Sequence, residues 1–381
     1  MPTTLDPVAE LGTAEDLEAQ VGQFAERLLL TALNGMEAIT IALGRDLGFY
    51  AHLAEHGASN AADVAQHAGV NARYAREWLE QQATAGLIDV ESNGDADPED
   101  ADARRYLLSP AATECLTRPE SLASVGPLFD LFPSVALVYP SLRDAYRSGR
   151  GVPYADYCIH DAQGDFNRPA FLNLLSAEWL PAIPGLVERL QRPGARVAEI
   201  GCGEGWAAVA LAQAYPAIRV DGFDLDEASI AAARRLATAS GVADRVRFEV
   251  IDVTDDSAMP AGTMHAYDFV CAFEMVHDLA QPVRALRTMR RLAQPDAIVL
   301  VVDEKVGDHF EASTDNPLER LFYAASVLHC LPVGMVGENP AGTGAVMRPA
   351  VLRRYATQAG FADVEVLPID YDIFRFYRLH F

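Results

Sequence analysis

The chain of 381 residues is half hydrophobic and carries a formal net charge of -24, enough material for two or three domains with ample core. Its acidic balance argues against a partner made of phosphates, because nonspecific nucleic-acid affinity comes largely from Lys and Arg displacing counterions. Five cysteines, Cys115, Cys158, Cys202, Cys271 and Cys330, are odd in number and form no C-x-x-C pair, which points away from a disulfide framework or a zinc site and toward a reducing cytoplasm.

At the N-terminus, residues 1–7 show no basic stretch followed by an apolar core, and no uninterrupted apolar run reaches eighteen residues, so neither secretion nor a membrane span is expected. Residues 22–47 form a helical pattern with Leu28, Leu29, Leu30, Leu33, Ile39, Ile41 and Leu43 nearly all round. One buried stripe needs less apolar surface than that, so the helix calls for a second partner, and a homodimer is expected.

Next, Asn60 stands as N-cap of a short helix, Gly69 marks a turn, and Asn71 opens a second helix to about Ala85. This is helix-turn-helix spacing. Residues 86–91, an acidic tip over 95–102 and residues 105–109 complete a two-stranded wing, and the whole resembles a winged helix. DNA binding is the rival reading for such a unit. Against it, Arg73 and Arg76 on the second helix face Glu77 and Glu80 for a net charge of zero, and Asp95, Asp97, Glu99, Asp100 and Asp102 crowd the tip. Carboxylates there repel a phosphate backbone, so nucleic acid is not an expected partner. Residues 110–190 read as helical and rich in aromatics.

An apolar strand then runs into Glu199-Ile-Gly201-Cys202-Gly203-Glu-Gly205 and on into an Ala-rich helix. The glycines permit a sharp turn and a close approach to a ligand that any Cβ would block. A dinucleotide fingerprint needs G-x-G-x-x-G, and position 206 is Trp. Further strands read at 218–224, ending in Asp224, at 246–250, followed by Asp252 and Val253, at 267–273 and at 297–302, with helices between them. That alternation is the mark of a parallel sheet covered on both faces. Taken singly, Glu199 reads equally well as a satisfied core carboxylate and the glycines as plain turn residues.

The E-x-G-x-G-x-G run resembles motif I of class I S-adenosylmethionine (SAM) methyltransferases, and the agreement extends over more than a hundred residues. The layout is similar to small-molecule O-methyltransferases with an N-terminal winged helix, and more closely to actinobacterial winged-helix methyltransferases. The resemblance implies an α/β fold with a Rossmann-like, mostly parallel sheet closed by a C-terminal antiparallel hairpin, behind a mainly α winged-helix domain. It divides the chain into a winged-helix and dimerisation domain at 1–110, a helical pocket region at 111–190 and a SAM-binding domain at 191–381. It implies SAM as cofactor, held by Glu199, Gly201, Cys202 and Gly203, by Asp224 and Leu225 at the ribose, by Asp252 and Val253 at the adenine, and by Phe273. No metal is required.

For the chemistry, the resemblance points to His277, followed by Asp278 just past the fourth strand, as general base. Imidazole suits taking a proton from a phenol. Glu304 matches an acid that orients that histidine. The alternatives are a loop histidine beside a helix-capping Asp278, and a plain Glu304–Lys305 ion pair. Leu279 stands where the plant enzymes have Trp, and Phe273 where they often have Lys. Phe132, Phe166, Asn167, Arg168 and Trp179 are candidates for the acceptor wall, and His329 is a second acid/base candidate. Methyl transfer to a small-molecule hydroxyl is the expected activity; a SAM-binding regulator and a non-methylating enzyme on the same fold are the competing classes.

Overall fold

The computed structural model describes residues 14–91, 100–312 and 315–381. They belong to two compact units, Met1–Thr113 and Glu114–Phe381, so the aromatic-rich helices after residue 113 fall in the same unit as the large sheet.

In the first unit, helix Ala14–Asp46 runs for 33 residues. Only its C-terminal end is packed, through Ala38, Ile41 and Ala42, while Leu17, Phe24, Leu29, Leu33, Met36 and Ile39 are 46–69% exposed. By length and composition it is the one helix among the described residues long and apolar enough to cross a membrane. Glu37 interrupts its most apolar stretch, residues 28–44.

Helices Phe49–His56, Ala61–Ala68 and Ala72–Thr84 follow, with β1 (Asp89–Val90) paired antiparallel to β2 (Tyr106–Leu107). Asn60 and Asp63 cap the middle helix reciprocally, the Asp63 N–H donating to Asn60 at 2.9 Å and the Asn60 N–H to Asp63 at 3.2 Å. Trp78 anchors this unit, its ring edge-on to Phe49 and Tyr50 at 4.8 and 5.0 Å and its indole N–H donating to the Thr40 carbonyl at 2.8 Å. The wing residues Asp95, Asp97 and Glu99 lie outside the described residues. Asp102 pairs with Arg76 at 3.1 Å.

The second unit is built on a seven-stranded sheet of β3 (Arg196–Ile200), β4 (Arg219–Asp224), β5 (Val246–Val250), β6 (Tyr267–Phe273), β7 (Ala293–Glu304), β8 (Asp363–Val366) and β9 (Phe374–His380). Their order is β5-β4-β3-β6-β7-β9-β8, parallel from β5 through β7 and antiparallel at β9 and β8. Side chains alternate between two cores. Val197, Phe269, Cys271 and Leu300 face one, Ala198, Val270, Val299 and Val301 the other, which is why these strands read as unbroken apolar runs. The chain leaves β3, winds outward through β4 and β5, and returns to β6 on the opposite side of β3. The crevice at the carboxyl ends of β3 and β6 is therefore the switch point where ligands sit in open α/β sheets.

Candidate active site

The glycine turn follows from backbone constraints. Gly201, Gly203 and Gly205 adopt φ of 65°, 50° and 81°, a region costly for residues with a Cβ. The three differ in what surrounds them. A Cβ on Gly201 would meet Met275 and one on Gly205 would meet Phe248, whereas one on Gly203 would meet nothing within 4 Å. Gly203 thus opens onto a cavity of about 600 Å³ at the carboxyl ends of the strands.

That cavity is lined by Glu199, Gly201, Cys202 and Gly203 from the turn, Asp224 and Leu225 from the end of β4, Asp252 and Val253 after β5, and Phe273 at the end of β6, so every residue assigned to the cofactor from sequence lies on it. Asp224 holds the turn, one oxygen accepting the Gly203 N–H at 2.8 Å and the other the Asp226 N–H at 2.9 Å. Burial pushes its carboxyl up against the pull of those N–H groups. Asp252 accepts from the Thr254 N–H and hydroxyl at 2.8 and 2.7 Å. Glu199 is the outlier: it is 3% exposed, one of its oxygens is buried with no hydrogen-bond partner, and burial lifts its carboxyl to about 8.

His277 sits behind this wall, 2% exposed and not on the cavity surface. Its Nδ1–H donates to Asp303 Oδ1 at 2.8 Å, Glu304 Oε2 lies 2.9 Å from the same nitrogen, and Asp278 Oδ1 lies 3.1 Å from Nε2. Burial alone would lower the imidazole pKa, but Asp303, Glu304 and Asp278 outweigh it and hold the ring well above its usual range. Asp278 does line the cavity. Burial would raise its carboxyl, yet His277 and His329 pull it below the ordinary value. Lys305, the alternative partner for Glu304, instead reaches Asp370 at 3.5 Å and the Tyr371 carbonyl at 3.1 Å.

Of the acceptor-wall candidates, the cavity takes in Asn167, whose amide donates to Glu274. Phe132 is 42% exposed on helix Pro127–Ser148, and Phe166 is half-buried away from the cavity. Arg168 pairs with Glu120 at 3.0 Å and stacks on Trp206. Trp179 is core, edge-on to Phe171, Phe374 and Phe376. His329 lies edge-on to Tyr157 at 4.6 Å with Nε2 buried and unpartnered. Glu274 and Tyr154, on the cavity surface, and Asp303 were not singled out from the sequence. Glu274 holds φ of 49°, and burial lifts its carboxyl to about 7 against the pull of Asn167 and His277. An acid after a run of buried β6 residues was its only signal. Asp303 is fully buried beneath His277.

Residues 198–299 match a methyltransferase domain family, and residues 35–118 match the Rv2258c-like winged HTH domain. Among curated proteins, the ubiquinone biosynthesis O-methyltransferase of Bordetella avium is 29% identical over 215 residues, covering 56% of this chain and 78% of that protein. The enzyme of the same name from Neisseria meningitidis is 27% identical over 213 residues, 56% and 80% of the two chains. Among solved structures, the mitomycin 7-O-methyltransferase MmcR superposes with a TM-score of 0.67 at 19% identity, over 96% of this chain and 99% of that one. Human N-acetylserotonin methyltransferase in complex with SAM gives 0.68 at 18%, over 93% and 97%. At these identities the superpositions establish the fold. The chain is a SAM-dependent methyltransferase carrying a winged HTH domain. Its cavity suits that cofactor: Gly203 leaves space where a side chain would stand, and the unpartnered Glu199 oxygen needs a hydrogen-bond partner from the cavity.

Proposed function

We propose that this methyltransferase acts on a hydroxyl of an aromatic or polyketide-like small molecule, with His277 as general base. One observation carries the reading: the cavity holding the glycine turn and Asp224 also has Asp278 on its wall, 3.1 Å from His277 Nε2. When bound, SAM supplies an electrophilic methyl group on a sulfonium, so the chain has to align an acceptor and remove its proton. In this reading Glu199, Gly201, Cys202 and Gly203 hold the amino-acid end of the cofactor, Asp224 and Leu225 the ribose, Asp252 and Val253 the adenine, with Phe273 beside them.

Because His277 is buried, the hydroxyl proton reaches Nε2 by way of the Asp278 carboxylate. Asp303 and Glu304 at the far nitrogen fix the ring's orientation and stabilise its protonated form. Asn167 and Glu274 face the acceptor, and His329 is the second acid/base group. A methyl-transfer screen against phenolic, amine and carboxylate libraries tests the proposal. Turnover of phenols that His277→Ala removes while SAM affinity persists supports it; full activity in that variant overturns it.

The winged HTH match favours a regulator as the second reading. Its charge does not: Arg73 pairs with Glu77, Arg76 with Asp102, Arg104 with Glu80 and Arg105 with Glu91, so these cations are each offset by a carboxylate. The exposed apolar helix Ala14–Asp46 supports a homodimer formed through the N-terminal unit. Five free cysteines suit a cytoplasmic enzyme.

A further inference from the structure

Away from the cavity, the N-terminal unit brings three imidazoles together. His52 and His56 stand one turn apart on helix Phe49–His56, and His67 is in the last turn of helix Ala61–Ala68. The rings of His52 and His56 stack at 4.5 Å, and His67 lies 4.7 and 5.5 Å from them. One nitrogen from each ring falls within 4.8 Å of the other two.

The hydrogen bonds around two of these rings decide where their lone pairs are. Ser59 donates its only hydroxyl proton to the Gly57 carbonyl at 3.1 Å, so at 3.2 Å it accepts from His52 Nε2. The His52 proton is therefore on Nε2, and Nδ1 carries a lone pair. That nitrogen is buried with no hydrogen-bond partner, on a residue only 6% exposed. His56 Nδ1 lies 3.2 Å from the His52 carbonyl, which can only accept, so the His56 lone pair is on Nε2. These are the outer hydrogen bonds that orient metal-ligating histidines, one to a hydroxyl and one to a backbone carbonyl. Burial and the neighbouring His56 and His67 lower the His52 pKa against Asp63 and Glu55, which keeps that ring in its ligating, neutral form.

We propose that His52 Nδ1, His56 Nε2 and a ring nitrogen of His67 bind a borderline divalent transition-metal ion of the zinc type. Three neutral nitrogens with no carboxylate in the set select zinc, cobalt, nickel or copper over magnesium or calcium. Ligand nitrogens about 2.0–2.1 Å from a tetrahedral ion lie about 3.3–3.5 Å apart, so the rings close by about 1.5 Å at most, within reach of χ rotation at the exposed His56 and His67. His56 and His67 are exposed, which leaves the fourth position to water. An ion there ties helix Phe49–His56 to helix Ala61–Ala68, and the folded form gains stability by linkage.

The test uses the full-length protein, stripped with a chelator and titrated with zinc chloride by calorimetry, with magnesium chloride in a parallel arm. One equivalent of zinc should bind, zinc should raise the melting temperature, and magnesium should do neither. His67→Gln, at an exposed position, should weaken zinc at least tenfold while the circular dichroism spectrum is unchanged, and His56→Gln/His67→Gln should abolish the shift in melting temperature. No zinc binding by the wild-type chain at micromolar concentration overturns the proposal. So does an undiminished equivalent in the double variant, which would assign the ion to the donor clusters around His277.

Discussion

Asp303 Oδ1 accepts the Nδ1–H of His277 at 2.8 Å in a place where the aspartate side chain has no exposed surface and the imidazole only 3%. With Glu304 on the same side and Asp278 on the other, the ring is held protonated well above its usual pKa. A base must be neutral to accept a proton, so turnover should rise with pH through a limb lying above 6.5. Asp303→Asn removes one of the charges that favour the imidazolium, so its limb should move toward lower pH. His277→Ala should cut kcat by roughly 10² to 10⁴ and abolish the limb, with SAM affinity nearly unchanged. A wild-type profile flat from pH 6 to 9 would contradict the assignment.

Two glycines of the same turn should fail in different ways. Gly203→Ala meets no atom within 4 Å, so it should leave the fold in place at a strain cost of about 1–2 kcal/mol while excluding the cofactor. Gly205→Ala drives a methyl group into Phe248 and Ala233 and should lower the melting temperature instead. Calorimetry with SAM beside thermal melts of both variants reads the difference. Normal SAM affinity in Gly203→Ala would remove the turn from the site.

Asp224→Ala tests the next strand end. Its carboxylate accepts two backbone N–H groups, one of them from Gly203. Alanine should therefore loosen the glycine turn as well as remove a ribose partner, weakening SAM by about 1.5–3 kcal/mol or more. Asp224→Asn keeps one acceptor oxygen and should lose less. Equal, small losses in both would show that the carboxylate does not grip the cofactor.

Most of the α/β unit could be read in the sequence because its strands are buried on both faces and its helices are capped, Asp226 and Asn316 opening Glu227–Ala239 and Pro317–Ala325 and Gly360 closing Pro349–Ala359. That the glycine turn, Asp224, Asp252 and Phe273 share one cavity was legible for the same reason, since they hang on strand ends. The surroundings of His277 were not. Spacing puts His277 after β6, but its burial and its contact with Asp303 depend on the register of β6 against β7, where Phe273 pairs with Val302. The acceptor wall failed to declare itself because Trp179 and Asn167 share one helical stretch, and aromatic content alone does not say which side faces the core. The histidine cluster of the N-terminal unit joins residues on two helices with a turn between, which no single period displays.

The exposed helix predicts an assembly. Leu17, Phe24, Leu29, Leu33 and Met36 present apolar surface along its length, more than a lone chain keeps in water. Light scattering at micromolar concentration should give twice the 41.2 kDa of one chain, and Leu29→Glu/Met36→Glu should halve it. A wild-type mass of one chain would rule out the dimer.

Glu199 predicts how stability changes with pH. Its folded carboxyl titrates at about 8 and its unfolded one near 4.5, because burial disfavours the charge. Between those values the folded chain binds the extra proton, so this residue makes stability fall as pH rises from about 4.5 to about 8. The total is on the order of a few kcal/mol. Glu199→Gln has no proton to lose, so its melting temperature should decline less over that window and should exceed the wild-type value at pH 8. The His277 imidazole, raised above its unfolded pKa, also withdraws stability as pH climbs past 6.5, and it does so equally in both proteins. The difference between the two melting curves therefore isolates Glu199, and parallel curves from pH 5 to 8 would mean that its carboxyl is ionised throughout.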